Sequence, residues 1–197
     1  CGLAETTRYM FAIAKKPYED FRYPIEFGVP GDYSTIKRPE FDADKASGKM
    51  ARSNGKLPML DVGGYQVGQS KAIERYVAAY CGLMGSSPTD ALAIDAITEQ
   101  VRDVKDTYQK EVRSVKEEDA RKAASDKFFV ERLPELSAQL ETLVAPLWKD
   151  ELTYSHVSVY ALYWSFFDRQ DDAVAALKGC TALTKGCDLV RTNPEVV

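Results

Sequence analysis

The chain has 197 residues, of which 45% are hydrophobic, 11% aromatic and 28% charged. That length allows one domain or two small ones, and the composition belongs to a packed globule rather than a disordered chain. Twenty-six Lys and Arg against thirty Asp and Glu give a net charge of −4, and no run of five or six cations is present to neutralise a row of phosphates, which argues against nucleic acid as a partner.

Leu3, Thr7, Met10, Phe11 and Ala14 recur at helical spacing, and Lys15-Lys16-Pro17 closes this first helix with cations at its C-terminal end. Tyr18 to Tyr23 alternates aromatic and charged residues, the pattern of a half-buried strand, before Pro24, Gly28, Pro30 and Gly31 predict a long loop. Leu57–Val62 and Tyr65–Val67 are short apolar runs joined by Gly63-Gly64, a β-hairpin signature. Between Gln69 and Tyr80, Ala72, Ile73, Tyr76, Val77 and Tyr80 return to helical spacing, ended by Cys81-Gly82.

After the small-residue linker Gly85-Ser86-Ser87-Pro88 every segment reads as helix. The predicted helices are Ala91–Glu117, Ala120–Val144 with Pro134 as a kink or a new start, a buried central helix over Leu152–Phe167, and short helices near Asp171–Leu177 and Thr181–Arg191. Leu152–Phe167 is the longest stretch without Asp, Glu, Lys or Arg; it is shorter than the roughly 18 apolar residues of a spanning helix and carries several hydroxyls. Cys1, Cys81, Cys180 and Cys187 lack CxxC spacing, and with one histidine they do not compose a usual zinc motif. Free thiols in a reducing compartment are expected.

Four segments occur in order at fitting distances: Gly2-Leu3-Ala4-Glu5-x-x-Arg8, Asn54-Gly55-Lys56-Leu57-Pro58-Met59-Leu60, Gly68-Gln69-Ser70-x-Ala72-Ile73-x-Arg75-Tyr76 and Asp150-x-Leu152-Thr153-Tyr154. Together they resemble the cytosolic glutathione transferases, most closely the sigma-like group, over nearly the whole chain. The resemblance implies an α/β thioredoxin-like N-terminal domain (1–82), a linker (83–89) and an all-α C-terminal bundle (90–197). It also implies a cytoplasmic protein, or an organellar one if a leader preceded the sequence, and a homodimer that takes glutathione as co-substrate, with no metal.

By the same resemblance a cis bond precedes Pro58, and the backbone of Leu57 pairs with the cysteinyl part of glutathione like an added strand. Gln69 and Ser70, at a helix start, would take the γ-glutamyl carboxylate; a plain helix cap is the alternative for Ser70. Lys49 matches a lysine that meets the glycyl carboxylate, with Lys45 competing. Asp103 corresponds to an acid that reaches the glutathione amine of the other subunit, unless it merely belongs to a solvated face. Tyr108 and Trp164 are proposed walls of the electrophile pocket.

The thiolate-stabilising tyrosine of sigma-like enzymes falls ahead of Cys1, so the sequence is expected to be a fragment lacking its first strand. Cys1 itself occupies the place of the reactive cysteine of omega-type relatives, although Gly2 replaces the proline that follows it there. Two departures stand out. The span from Tyr18 to Pro58 is long, and its 24–41 insertion, with Phe27, Tyr33 and Phe41, suggests a lid or a surface for a partner in a larger assembly. Thr153-Tyr154-Ser155-His156 places a histidine where relatives carry a capping-box aspartate, and His156 reads as a substitute cap rather than a base. The leading function is conjugation of glutathione to a small electrophile or reduction of a peroxide; the alternative is a non-catalytic docking subunit with the same fold.

Overall fold

The computed structural model describes residues 2–29, 35–149 and 151–196. The chain divides into two compact units, Pro17–Glu74 and a second made of Cys1–Lys16 with Arg75–Val197.

In the Pro17–Glu74 unit, strand β1 (Glu26–Phe27) pairs antiparallel with β2 (Ile36–Lys37), and helix α2 (Pro39–Ala46) follows with a proline in its first turn. A 3-10 turn at Ala51–Ser53 leads to a second antiparallel pair, β3 (Leu60–Val62) and β4 (Tyr65–Val67). The predicted Gly63-Gly64 hairpin is present. Both glycines have positive φ, +60° and +89°, which only glycine adopts without strain, and Asp61 holds the turn by accepting from the Gly64 N–H at 2.8 Å.

Two expectations for this unit are corrected. Residues 18–23 form no strand: Tyr18 and Phe21 are exposed, and this segment joins no ladder among the described residues. Alternation alone does not make a strand without a neighbour to bond. The 24–41 segment is not a continuous loop either. It contains the β1–β2 pair and the start of α2, and Phe41 is buried under Tyr23, whose ring meets it edge-on at 5.5 Å. Tyr33 lies outside the described residues.

The larger unit is helical. It contains α1 (Glu5–Ile13), the part of α3 (Ser70–Tyr80) from Arg75 onward, α4 (Pro88–Tyr108), α5 (Glu118–Lys127), α6 (Leu133–Val144), α7 (Tyr154–Ala161), α8 (Gln170–Ala175) and α9 (Thr181–Arg191). The linker caps α4: the Ser87 hydroxyl accepts from the Asp90 N–H at 3.1 Å, with Pro88 in the first turn. The long helix predicted to Glu117 ends sooner, passing into a π turn over Gln109–Arg113. A second π turn, Phe128–Arg132, joins α5 to α6 directly ahead of Pro134, which has no N–H to continue the α ladder. Every residue of α7 is buried, and the helix packs against α1, α4 and α9 as the central element foreseen from its apolar sequence. The N-terminus of α9 is held by Glu141, whose carboxylate accepts from the Ala182 and Leu183 N–H groups at 2.8 Å each.

Candidate functional site

Five of the proposed glutathione contacts lie in the Pro17–Glu74 unit or its edge: Lys49, Leu57, Pro58, Gln69 and Ser70. A Cβ on buried Gly68 would fall 2.8 Å from the Ser53 Cα, so the chain just after β4 approaches the 3-10 turn more closely than a side chain permits. Gln69 then turns with φ +73°, and its carbonyl accepts the first helical bond, from the Ile73 N–H at 3.0 Å. Gln69, not Ser70, therefore terminates the helix. Ser70 is its first helical residue, half-buried, and its hydroxyl has no partner among the described residues. The N–H groups of Ser70, Lys71 and Ala72 precede the first helical bond, so hydroxyl and backbone donors lie together where the helix dipole favours an anion.

Leu57 is exposed, and the Leu57–Pro58 peptide bond is cis, as the resemblance implies. The two lysines differ. The Lys49 ammonium donates to Asp44 Oδ2 at 2.7 Å, and the Tyr23 hydroxyl donates to the same oxygen at 2.6 Å. Bonds from Lys49 and Tyr23 hold the Asp44 carboxyl below its ordinary range, while Asp44 raises both Lys49 and Tyr23. The stem of Lys45 instead lies across Gly55: a Cβ there would meet its Cε at 2.7 Å. Lys45 is thus seated two residues before Leu57, and no acid is bonded to it among the described residues.

Asp103, Tyr108 and Trp164 lie in the helical unit. Asp103 is exposed on α4. Tyr108 is 1% exposed and surrounded by Phe128, Phe129, Phe166 and Phe167, with its hydroxyl donating to Asp168 at 2.5 Å. Burial first, then that bond, pushes its phenol up to about 12. Trp164 is half-buried and stacks on Tyr160 at 5.1 Å; Tyr160 in turn meets Tyr9 of α1, whose hydroxyl bonds Ser165 at 2.7 Å. Cys1, the alternative nucleophile, lies outside the described residues. The described cysteines Cys81, Cys180 and Cys187 are free thiols.

His156 acts as the foreseen cap. The Thr153 N–H donates to its Nδ1 at 3.2 Å and the Thr153 hydroxyl lies 2.9 Å from the same atom, closing a capping box at the start of α7. The ring is 1% exposed and stacked on Trp148 at 4.1 Å. Burial lowers its pKa to about 4, so at neutral pH it is an acceptor fixed in the core. The sequence reading gave Tyr23 and Asp44 no role in the site and took Gly68 only as part of a motif. Gly68, two residues before the helix start, carries a local signal; Tyr23 and Asp44 meet across 21 residues. No group of three or more potential metal ligands is placed together among the described residues, and none of their helices is long and apolar enough to cross a membrane.

No family model matches the chain. It is 37% identical over 102 residues to glutathione S-transferase 4 of Caenorhabditis elegans, covering 52% of this chain and 41% of that protein. It is 31% identical over 143 residues to hematopoietic prostaglandin D synthase of Gallus gallus, covering 73% and 62% respectively. The chain thus spans about half the length of the curated relatives it matches. A pi-class glutathione S-transferase structure from Onchocerca volvulus superposes with a TM-score of 0.77 over 99% of this chain and 85% of that one, at 22% identity. The fold is that of the glutathione transferases: a thioredoxin-like segment followed by a helical bundle.

Proposed function

We propose that this chain is a glutathione transferase, in which a bound glutathione thiolate attacks an electrophilic carbon or a peroxide oxygen. The observation that carries the reading is the start of α3. There Gln69 ends the helix, and the Ser70 hydroxyl, without a partner among the described residues, lies beside three backbone N–H groups. An acceptor-rich carboxylate is the chemistry such a cluster suits. The names of the relatives point the same way.

In this reading Gln69 and Ser70 hold the γ-glutamyl carboxylate, and Leu57, set by Pro58, pairs with the cysteinyl backbone. Lys49 serves the glycyl carboxylate, with Lys45 competing for that role. Asp103 is assigned to the amine of glutathione in the other subunit of a two-fold dimer. Trp164, with Tyr160 and Tyr9 behind it, offers the aromatic wall for a hydrophobic electrophile, and Tyr108 supports that region from the core. The functional division follows the motifs, 1–82 for the thiol and 90–197 for the electrophile, across the linker 83–89. A cytoplasmic location fits the free thiols.

Lowering a thiol pKa by about two units corresponds to about 2.7 kcal/mol of thiolate stabilisation, within reach of one good hydrogen bond and a helix dipole. The donor is proposed to be a tyrosine ahead of Cys1, at the place the resemblance assigns. Calorimetry tests the binding half of the reading: glutathione should bind with micromolar to millimolar affinity, and Ser70→Ala should weaken it by about 1–3 kcal/mol. Unchanged affinity in that variant would remove Ser70 from the site.

A further inference from the structure

We infer that Asp44 is a brake on the glycyl end of the thiol site, holding Lys49 in an ion pair that an incoming terminal carboxylate must share. This rests on the proposed function and names a residue that sets the specificity of the same site.

Three side chains meet at one oxygen. Asp44 Oδ2 accepts from the Tyr23 hydroxyl at 2.6 Å and from the Lys49 ammonium at 2.7 Å. Tyr23 is anchored independently, edge-on to Phe41 at 5.5 Å and to Phe21 at 5.0 Å, so its hydroxyl is a fixed donor rather than a wandering one. Asp44 lies near the end of α2, and its side chain is about half as exposed as that of Lys49, 26% against 57%. The carboxylate is therefore the anchored partner and the lysine the mobile one. With its negative charge stabilised by two donors, Asp44 stays ionised through the physiological range.

An anionic glycyl terminus approaching Lys49 would meet a pair of zero net charge, whose own carboxylate already lies 2.7 Å from the ammonium. Like-charge proximity offsets much of the attraction that a free ammonium would supply. The consequence is a site in which Lys49 contributes little selectivity for a terminal carboxylate. The wiring also gives part of the Tyr18–Phe41 region a purpose, since Tyr23 and Phe41 hold the brake in place. Asp44 acts through Lys49 and touches no substrate; it is a positioning residue.

The test titrates the full chain with glutathione and with its glycyl carboxamide, identical but uncharged at that end. The proteins are the wild type, Asp44→Asn, Lys49→Met and the double variant. Asparagine keeps an acceptor for Tyr23 and removes the charge. Asp44→Asn is expected to tighten glutathione about three- to tenfold at low ionic strength while changing the carboxamide by less than about twofold. The gain should vanish in the Lys49→Met background and shrink in high salt. Unchanged or weaker glutathione binding in Asp44→Asn, or an equal change for both ligands, overturns the inference and leaves the proposed function standing. Binding of neither ligand by the folded wild type overturns the proposed function, and the brake with it.

Discussion

His156 caps α7, so its protonation bears directly on the start of that helix. Its Nδ1 accepts from the Thr153 N–H, so a proton on that atom removes the return bond of the α7 capping box. Asp90, Lys149 and Glu151 line the same cleft, yet burial is the cause of the lowered pKa of about 4. Above about pH 6.5, the ordinary histidine value, the folded and unfolded chains both hold it neutral. Between there and about pH 4 the unfolded chain binds a proton that the fold refuses, so stability is lost as pH falls, by on the order of 3 kcal/mol in total. Urea midpoints measured from pH 7.5 to 4 should show this decline, and His156→Asn should flatten it; equal slopes in the two proteins would show that His156 does not titrate as described. This residue was legible in sequence because a capping box is local, spanning the four residues from Thr153 to His156. Asp44 was not: its contacts to Tyr23 and Lys49 depend on where α2 ends and how an extended segment returns to it, which spacing does not encode.

At the scale of elements, two close approaches fix positions that matter. A Cβ at Gly186 of α9 would fall 2.2 Å from Cζ3 of Trp148, the ring that stacks on His156 and donates to Ser155 at 3.0 Å. Gly186→Ala must therefore displace the indole or the helix, and thermal unfolding should show a loss of about 1–3 kcal/mol, the range of overpacked cores. Gly68→Ala forces β4 away from Ser53 and shifts the turn that presents Ser70. It should weaken glutathione binding about tenfold or more, since misplaced donors lose charge-assisted bonds, and calorimetry of the folded variant would reveal it. The β3–β4 hairpin and the α3 helix were readable because glycine pairs and 3.6-residue periodicity are local codes. Residues 18–23 misled because strand alternation says nothing about the neighbouring strand. The π turn at Phe128–Arg132 left only Pro134 as a trace.

At the scale of the whole molecule, α4 presents an ionic cluster in which Arg75 of α3 bonds Asp95 at 2.9 Å and also Glu99, which pairs in turn with Arg102. Beside it on α3, Tyr76 and Tyr80 stack in parallel while half-exposed, and Leu92 of α4 is 70% exposed. Exposed stacked aromatics rimmed by charges suit a self-complementary interface. Sedimentation at micromolar concentration should therefore find a dimer, and Tyr76→Glu should shift it to monomer; a monomeric wild type that binds glutathione at full strength would remove Asp103 from the neighbouring site. The transfer reaction is read from the initial rate of glutathione conjugation to 1-chloro-2,4-dinitrobenzene by the folded, full-length protein. The rate should exceed the uncatalysed reaction, saturate in both substrates, and show a glutathione KM raised about fivefold or more by Ser70→Ala. A rate no greater than background in protein that is folded and saturated with glutathione would contradict the assignment.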